Sequence, residues 1–179
     1  MKKKVFFPLQ NKNLEKLKLG DEVEIYGIIY SARDSAHKKF FEDIRKKREL
    51  PFNLNNSLIY YMGPSPAPSG KIIGSCGPTT SSRMDEFTIP LLKLGLKATM
   101  GKGERSIEIV NACKQFKAVY FITYGGCGAY LNKFIKEFKL IAYPELGPEA
   151  VYMLKVEKFP AIVGIDIWGN DLYQYCKKV

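Results

Sequence analysis

The chain alternates apolar, β-rich runs with segments that carry a single apolar helical stripe, and this alternation continues through most of its length. The run "DEVEIYGIIYS" is typical of a strand. In the following "DSAHKKFFEDIRKKREL", Ala36, Phe40 and Ile44 recur every four residues, which is typical of a helix. Strands that alternate with helices are typical of an α/β domain with a parallel or mixed sheet. We therefore predict an α/β fold whose functional loops follow the carboxyl ends of its strands.

The same patterns predict the remaining elements. Short strands are predicted in "LIYYMG", "KIIGS", "LKATMGKG" and "KAVYFITYGG", and helices in "TTSSRMDEF" and "ERSIEIVNACKQF". Asp34 or Ser35 is the expected N-cap of the first helix. Further predictions are a fresh helix start at Thr88 and Pro90 with an end at Gly95, a helix carrying Leu131, Phe134 and Phe138, a short helix after Gly147, and a terminal hairpin at Gly169-Asn170.

The composition predicts one domain over residues 1–179 with an excess of positive charge. The chain has 28 Lys and Arg against 18 Asp and Glu, a net charge of +10. Such a balance suits anionic partners and says nothing about the fold. The tract 33–48 has seven Lys and Arg against three acids, and the N-terminus adds six lysines, but no nucleic-acid-binding signature accompanies them. A solvated helix face, or a surface for an acidic partner, is the preferred interpretation, and we expect no nucleic-acid partner.

The four cysteines and the single histidine offer no metal-binding pattern. Cys76, Cys113, Cys127 and Cys176 lie far apart, without a C-x-x-C pair, and we expect free thiols. The start "MKKKVFFPLQ" lacks the long apolar region of a signal peptide, and the uncharged run 118–132 is too short to span a bilayer. We expect a cytoplasmic protein with no metal site of its own and no membrane association.

Three loops each carry one cation behind a predicted strand: Arg33 in "SARDSAHKK", Arg83 in "GSCGPTTSSRMD" and Lys102 in "MGKGERS". Each cation alone could be an ordinary surface residue, and Arg33 could pair with Asp34 or another acid. Together they would bind a small dianion such as a dicarboxylate, with a threonine hydroxyl among them. A threonine needs a neighbouring base or strongly positive surroundings before it can accept a proton. His37 is predicted on the polar side of its helix, solvated or capping rather than catalytic.

The order of several motifs identifies a family resemblance. "ARD-AHK", "YYMGP", "GS-x-GPTTSSRMD", "MGKGERS", "AVYFITYGGCGAYL", "YPELGPEAVY" and "FPAIVGID--GN" follow one another over residues 19–173. The chain resembles the β subunit of two-subunit, iron–sulfur-dependent class I fumarases and L(+)-tartrate dehydratases. The same region forms the C-terminal domain of single-chain class I fumarases. The resemblance implies a swivelling β/β/α domain, with a mixed sheet or partly open barrel flanked by helices.

The resemblance also implies a reaction and a set of roles. The reaction would be the reversible hydration of fumarate to (S)-malate, within an α₂β₂ heterotetramer. A [4Fe–4S] cluster held by the α subunit, not by this chain, would act as the Lewis acid. Thr79 would move the C3 proton with help from α-subunit residues, and Arg33, Arg83 and Lys102 would bind the C4 dicarboxylate. The spacing of Lys102 is one residue shorter than the family pattern.

Three questions stay open at the level of sequence. Fumarate and tartrate share one C4 dicarboxylate skeleton, and we favour fumarate from the "GKGERS" context and the motif spacing, with the tartrate dehydratase β subunit as the alternative. Either Thr79 or Thr80 could be the reactive hydroxyl. Outside this class, the chain could be a stand-alone anion-binding domain without catalysis.

Overall fold

A barrel of five strands forms the centre of the computed structural model, which describes residues 2–10 and 13–177. The strands in these residues are β1 (Lys3–Phe7), β2 (Glu22–Ser31), β3 (Leu58–Tyr60), β4 (Ala98–Gly101), β5 (Val119–Ile122), β6 (Ile135–Ala142) and β7 (Val151–Ile165). The α-helices are α1 (Asp34–Arg45), α2 (Asp85–Lys93), α3 (Ile107–Phe116), α4 (Gly128–Leu131) and α5 (Leu172–Cys176). Short 3₁₀ helices cover Asn13–Lys16, Ser81–Met84, Asn132–Phe134 and Pro144–Glu149.

The barrel is closed by one long strand. β2, β3, β4 and β5 are parallel neighbours in that order, and β7 pairs antiparallel with both β5 and β2. β1 extends the sheet beside β2, and β6 extends it beside β7. The prediction of an α/β fold with a mixed sheet and a barrel flanked by helices is confirmed. Because β2, β3 and β4 are parallel, the loops after them lie at the same end of the barrel.

One glycine, Gly27, allows β2 to bend between the part that pairs with β1 and the part that pairs with β3. The register of β2 against β7 shifts between Ile25 and Gly27, and Gly27 has a φ of +98°. A Cβ at Gly27 would also collide with the carbonyl group of Phe7 on β1. A bulge with positive φ and a close neighbouring backbone requires glycine, because any other side chain would strain both.

Apolar side chains fill the barrel and cover its outside. Inward-facing residues of every barrel strand, among them Ile25, Met100 and Phe159, belong to one buried cluster. A second cluster, which includes Phe40 of α1 and Leu91 of α2, packs these helices against the outer face of β3. A third joins α3 to the far side of the sheet. Helices therefore pack on the outside of a closed barrel. In residues 2–10 and 13–177, every helix is too short or too polar to span a bilayer.

Two predicted elements were wrong, because strand pairing in the sheet determines what these segments form. The segment "KIIGS" forms no strand, since β3 already has β2 and β4 on its two edges. Phe138 was placed in a helix but lies in β6, where it pairs with Leu154 of β7 and its ring stacks on Tyr152 at 4.4 Å. The pairing with β7 outweighs the helical spacing of the apolar residues in this part of the sequence.

Three predicted ends also differ. The N-cap of α1 is Arg33, not Asp34 or Ser35. Thr88 and Pro90 do not start a new helix, because α2 already begins at Asp85 and Pro90 lies inside it, although Gly95 does follow its end. The Gly169-Asn170 turn leads to a single antiparallel bridge between Ile165 and Asp171 and then to α5, so the predicted hairpin does not form.

A buried ion pair fixes α2 and α3 against the barrel. Arg105 is enclosed, and its Nε donates to Asp85 Oδ1 at 2.6 Å. Its other nitrogens donate to Thr88 and Thr99, and the guanidinium lies over the rings of Tyr61 and Tyr120. Asp85 Oδ2 accepts from the Ser106 backbone N–H at 2.8 Å, at the start of α3. The acid of the "RMD" motif is therefore part of the framework.

We expect Arg105→Ala to lower the free energy of unfolding by roughly 3–5 kcal/mol, because it leaves Asp85 without its buried partner. The measurement is urea denaturation followed by circular dichroism. Lys177→Ala is the control, since Lys177 pairs with Glu104 at the same 2.6 Å but both side chains are more than half exposed. Its effect should be far smaller. Equal losses in the two variants would contradict the structural role of Arg105.

Candidate functional site

The "GPTT" segment lies between the ends of β3 and β4. The Thr79 backbone N–H donates to the Tyr61 carbonyl at 2.7 Å, just beyond β3. The Lys102 N–H donates to the Thr79 carbonyl at 3.2 Å, and the Ser81 N–H donates to the Lys102 carbonyl at 2.8 Å. These bonds form a short parallel bridge between Thr80 and Lys102. The structure therefore brings Thr79 and Lys102 together through their backbones.

The close fit of this segment depends on Gly101, the last residue of β4. A Cβ at Gly101 would collide with Ser81 Oγ and would lie 3.1 Å from the Thr79 carbonyl oxygen. Behind the segment, the buried hydroxyl of Tyr120 lies 2.9 Å from Ser81 Oγ and donates to the Gly103 carbonyl at 2.8 Å. The backbone that carries Thr79 is therefore held from three sides, while its own side chain remains partly accessible.

Arg33 and Arg83 meet at one carboxylate. Arg33 follows β2, and Arg83 lies in the 3₁₀ helix Ser81–Met84. Asp34 Oδ1 accepts from Arg83 Nε at 3.0 Å, and Asp34 Oδ2 lies 3.9 Å from Arg33 Nε. The expectation that Arg83 follows a strand was wrong, because "KIIGS" is not one. Arg83 reaches Arg33 through the turn that follows Thr79.

A second carboxylate completes the group. Glu149 Oε1 lies 3.3 Å from Arg33 Nη2, and Glu149 Oε2 accepts from the Ser35 backbone N–H at 3.0 Å. We call Arg33, Asp34, Arg83 and Glu149 the arginine–carboxylate cluster. Glu149 takes the place of a side-chain N-cap for α1, which explains why Arg33 can occupy the N-cap position with no capping side chain of its own. Burial raises the pKa of Glu149, but the hydrogen bonds from Ser35 and the two arginine charges outweigh it and keep the pKa below its ordinary value.

Lys102 stands beside the cluster rather than in it. Its side chain is partly buried against the loop after β5, where a Cβ at Gly125 would lie 3.4 Å from Lys102 Cδ. Within residues 2–10 and 13–177 it forms no ion pair with an acidic side chain. The four predicted residues thus lie at one end of the barrel in two adjoining groups, Thr79 with Lys102 and Arg33 with Arg83.

The prediction for His37 was wrong. The imidazole is completely buried among the rings of Phe40, Tyr61 and Phe87, not on the polar side of α1. Its Nδ1 lies 2.7 Å from the Arg33 carbonyl, and Nε2 has no partner in the described structure. Burial lowers the pKa of His37 to about 4, so the ring is neutral at pH 7 and Nδ1–H donates to that carbonyl. The periodic pattern failed because α1 is covered by α2 on the face that looks polar in the sequence.

The described cysteines do not fit an iron–sulfur cluster. Cys76 and Cys113 are buried apart from each other, and burial raises the pKa of each thiol to about 12. The Cys76 Sγ instead lies 3.7 Å from the Gly128 carbonyl. Cys127 and Cys176 are exposed, and no three Cys, His, Asp or Glu side chains in the described ranges come together as a metal site.

The sequence analysis missed Glu149, and it gave Asp34 as a possible N-cap or a possible partner of Arg33 but not as a partner of Arg83. Both acids stand in motifs that carried the resemblance, "ARD" and "YPELGPEA", so the signal was present. The contact of Glu149 with Arg33 joins residues more than a hundred positions apart, and only the fold shows it.

The family model described as "Fumarase C-terminus" matches residues 3–176. The chain belongs to this family. The predicted resemblance to β subunits of hydro-lyases is thereby confirmed, and the Fumarase C-terminus domain supplies both groups of candidate site residues described above.

Named relatives of this Fumarase C-terminus chain are of two kinds. A Methanocaldococcus jannaschii protein with the provisional name L(+)-tartrate dehydratase subunit beta is 39% identical, covering 97% of this chain and 92% of that protein. The L(+)-tartrate dehydratase subunit beta of Escherichia coli is 33% identical over the whole chain and 90% of that protein. Fumarate hydratase 2 of Leishmania major is 40% identical over 90% of this chain, which spans only 29% of that protein. The relatives are hydro-lyases, either as separate β subunits or as longer chains.

We expect the stability of the protein to fall as the pH drops from 7 to 4, because unfolding lets His37 take up a proton that the folded state excludes. The folded pKa of about 4 lies below the ordinary 6.5, so the loss begins near pH 6.5 and is complete below pH 4. It amounts to about 3 kcal/mol. Urea denaturation at several pH values measures it. His37→Phe should remove this part of the slope, and an unchanged slope in that variant would contradict the assignment.

Proposed function

We propose that this chain is the β subunit of a two-subunit hydro-lyase that hydrates fumarate reversibly to (S)-malate. The observation that carries the proposal is the pairing of Arg33 and Arg83 in one cluster, one short turn away from the hydroxyl of Thr79. Two guanidinium groups at the same end of the barrel as a threonine hydroxyl suit a dicarboxylate that exchanges a proton. Membership in a family whose named relatives are hydratases and dehydratases supports the same reaction class.

In this proposal Arg33, Arg83 and Lys102 bind the substrate carboxylates. Arg83 is half exposed and uses only its Nε in the cluster, so its two terminal nitrogens are available for a bidentate contact. When malate loses its C3 proton, negative charge builds on the adjacent carboxylate. Fixed cations at that carboxylate stabilise the transition state more than the ground state.

Thr79 carries the C3 proton in this scheme. Its hydroxyl is partly accessible and has no hydrogen-bond partner in the described part of the chain, while the backbone bonds to Tyr61 and Lys102 hold it in place. A threonine hydroxyl must give its own proton to a base before it can accept one from carbon. His37 is enclosed by aromatic rings and does not reach the substrate, and we propose that the base comes from the α subunit, as the family resemblance implies.

The partner in this proposal is an α subunit, in an α₂β₂ heterotetramer within the cytoplasm. The separate β subunits among the relatives, which this chain matches over almost their full length, support such an arrangement. We propose that the [4Fe–4S] cluster expected from the family is bound by the α subunit, since the described cysteines of this chain offer no ligand set for it. The site described above is then one half of the complete active site.

Dehydration of L(+)-tartrate to oxaloacetate is the second candidate. The observation in its favour is that the chain spans nearly the whole length of the tartrate dehydratase β subunits but only about 30% of the fumarate hydratases it resembles. The two substrates differ by one hydroxyl on the same dicarboxylate skeleton, and the residues described here bind the part that both share.

We expect this chain alone to be inactive and to become active when it is combined anaerobically with a cluster-loaded α subunit. The reason is that the base for Thr79 and the cluster lie on the other chain. The measurement is absorbance of fumarate, with L(+)-tartrate assayed in parallel. Full activity of the isolated chain would contradict the proposal, and turnover of tartrate alone would establish the second candidate.

In the reconstituted enzyme we expect Thr79→Ala to lower kcat by about 10²–10⁴-fold, the usual contribution of a proton-transferring side chain. Thr80→Ala is the matched control, because the neighbouring hydroxyl is exposed and its residue forms the same backbone bridge. Its kcat should stay close to that of the parent enzyme. Thermal melting should show no large change in either variant. A larger loss of kcat in Thr80→Ala would transfer the role to Thr80.

A further inference from the structure

The arginine–carboxylate cluster holds two acids in a place proposed to bind a dianion. Asp34 and Glu149 are carboxylates, and a carboxylate repels a dicarboxylate. A site selected only for attraction would not contain them. Their contacts with Arg33 and Arg83 therefore call for a physical explanation.

Asp34 fixes one particular edge of Arg83. Its Oδ1 accepts from Nε at 3.0 Å, which leaves the edge formed by the two terminal nitrogens free. The Arg83 side chain is 50% exposed and would otherwise have many rotamers, whereas Asp34 is 21% exposed at the rigid start of α1. A guanidinium bound at Nε to a fixed carboxylate has lost most of its orientational freedom before a ligand arrives.

Glu149 does the same for Arg33 from the other side. Its Oε1 lies 3.3 Å from Arg33 Nη2, and its Oε2 is held by the Ser35 N–H. The backbone before Glu149 packs closely on the loop after β3, since a Cβ at Gly63 would lie 2.7 Å from the Pro148 carbonyl oxygen and 3.2 Å from Arg33 Cδ. Glu149 is thus bonded to the start of α1 and follows a residue that packs on the loop after β3.

Asp34 and Glu149 also offset the electrostatic repulsion between the two arginines. Two guanidinium groups that contact the same carboxylate repel each other when no ligand is bound. With Asp34 and Glu149 present, the four charges of the cluster sum to zero. The arginines can therefore stay side by side in the empty site, with the free edge of Arg83 already exposed.

We propose that Asp34 and Glu149 are positioning residues that hold Arg83 and Arg33 in the orientation that binds the substrate carboxylate. This inference rests on the proposed function and adds two residues that act through the arginines. Neither acid handles a proton or touches the reacting carbon in this account.

The effect of removing one acid has opposite signs under positioning and under simple electrostatics. If the acids acted only through their charge, Asp34→Asn or Glu149→Gln would remove a repulsion and lower KM for the dicarboxylate. If they position the arginines, the same changes release the guanidinium groups and raise KM. We expect KM to rise about tenfold in each variant, equivalent to the loss of one well-formed contact, with a smaller decrease in kcat.

The experiment compares Asp34→Asn and Glu149→Gln with Glu145→Gln in the reconstituted enzyme. Glu145 lies in the same segment Pro144–Glu149, on the other side of a kink at Gly147, and pairs with Lys39 of α1 at 3.6 Å. Its variant therefore removes an equal charge without touching either arginine. KM in this control should be unchanged or slightly lower. Thermal melting of the full chain checks that each variant folds.

A second measurement does not depend on turnover. Phenylglyoxal labelling of the full chain, mapped by peptide mass spectrometry, reports how firmly each arginine is held. Labelling should be faster at Arg83 in Asp34→Asn and faster at Arg33 in Glu149→Gln, and unchanged in Glu145→Gln.

A lower or unchanged KM in the two test variants, or labelling rates equal to those of the parent chain, would overturn the inference. A reconstituted parent enzyme that turns over neither fumarate nor tartrate would count against the proposed function alone, because the labelling rates are read without catalysis.

Discussion

The antiparallel pairing of β2 with β7 is the interaction on which the rest of the structure depends. It runs from the pair Glu22–Ile162 to the pair Ser31–Tyr152 and turns an otherwise open sheet into a closed barrel. Closure fixes the ends of β2, β3 and β4 at one rim. Arg33 follows the first of these ends, Lys102 follows the third, and the backbone of Thr79 is bonded between the second and third. A loosened β7 would therefore separate Arg33, Thr79 and Lys102 from one another.

Opposite charges are paired at two places near that rim. The buried pair of Arg105 and Asp85 joins α2, α3 and β4, so that the enclosed guanidinium has an acidic partner inside the fold. In the arginine–carboxylate cluster, the positive charges of Arg33 and Arg83 are balanced by the carboxylates of Asp34 and Glu149. The Arg105–Asp85 pair supports the turn that carries Thr79 and Arg83. The carboxylates of the cluster orient the two arginine side chains. The net charge of +10 in the chain therefore says little about the site itself, where positive and negative groups are nearly equal.

Sequence patterns succeeded where local spacing and the environment agree. The alternation of apolar residues located β2, and the helical spacing of Ala36 and Phe40 located α1, because the apolar side chains of both elements face the core as their spacing predicts. The patterns failed where distant partners decide. His37 looks polar in the helix, but α2 covers it. Phe138 has helical spacing, but β7 offers a strand partner.

The fold class, the family and the four candidate residues Arg33, Thr79, Arg83 and Lys102 could all be read from the sequence, because they depend on short motifs and on periodicity along the chain. The grouping of these residues is visible only in the folded chain: Thr79 lies with Lys102 through backbone bonds, and Arg33 lies with Arg83 through Asp34. It alone added Glu149 to the cluster. The physical reason is that hydrogen bonds and ion pairs form between groups within about 3–4 Å in space, and separation along the chain does not encode that distance.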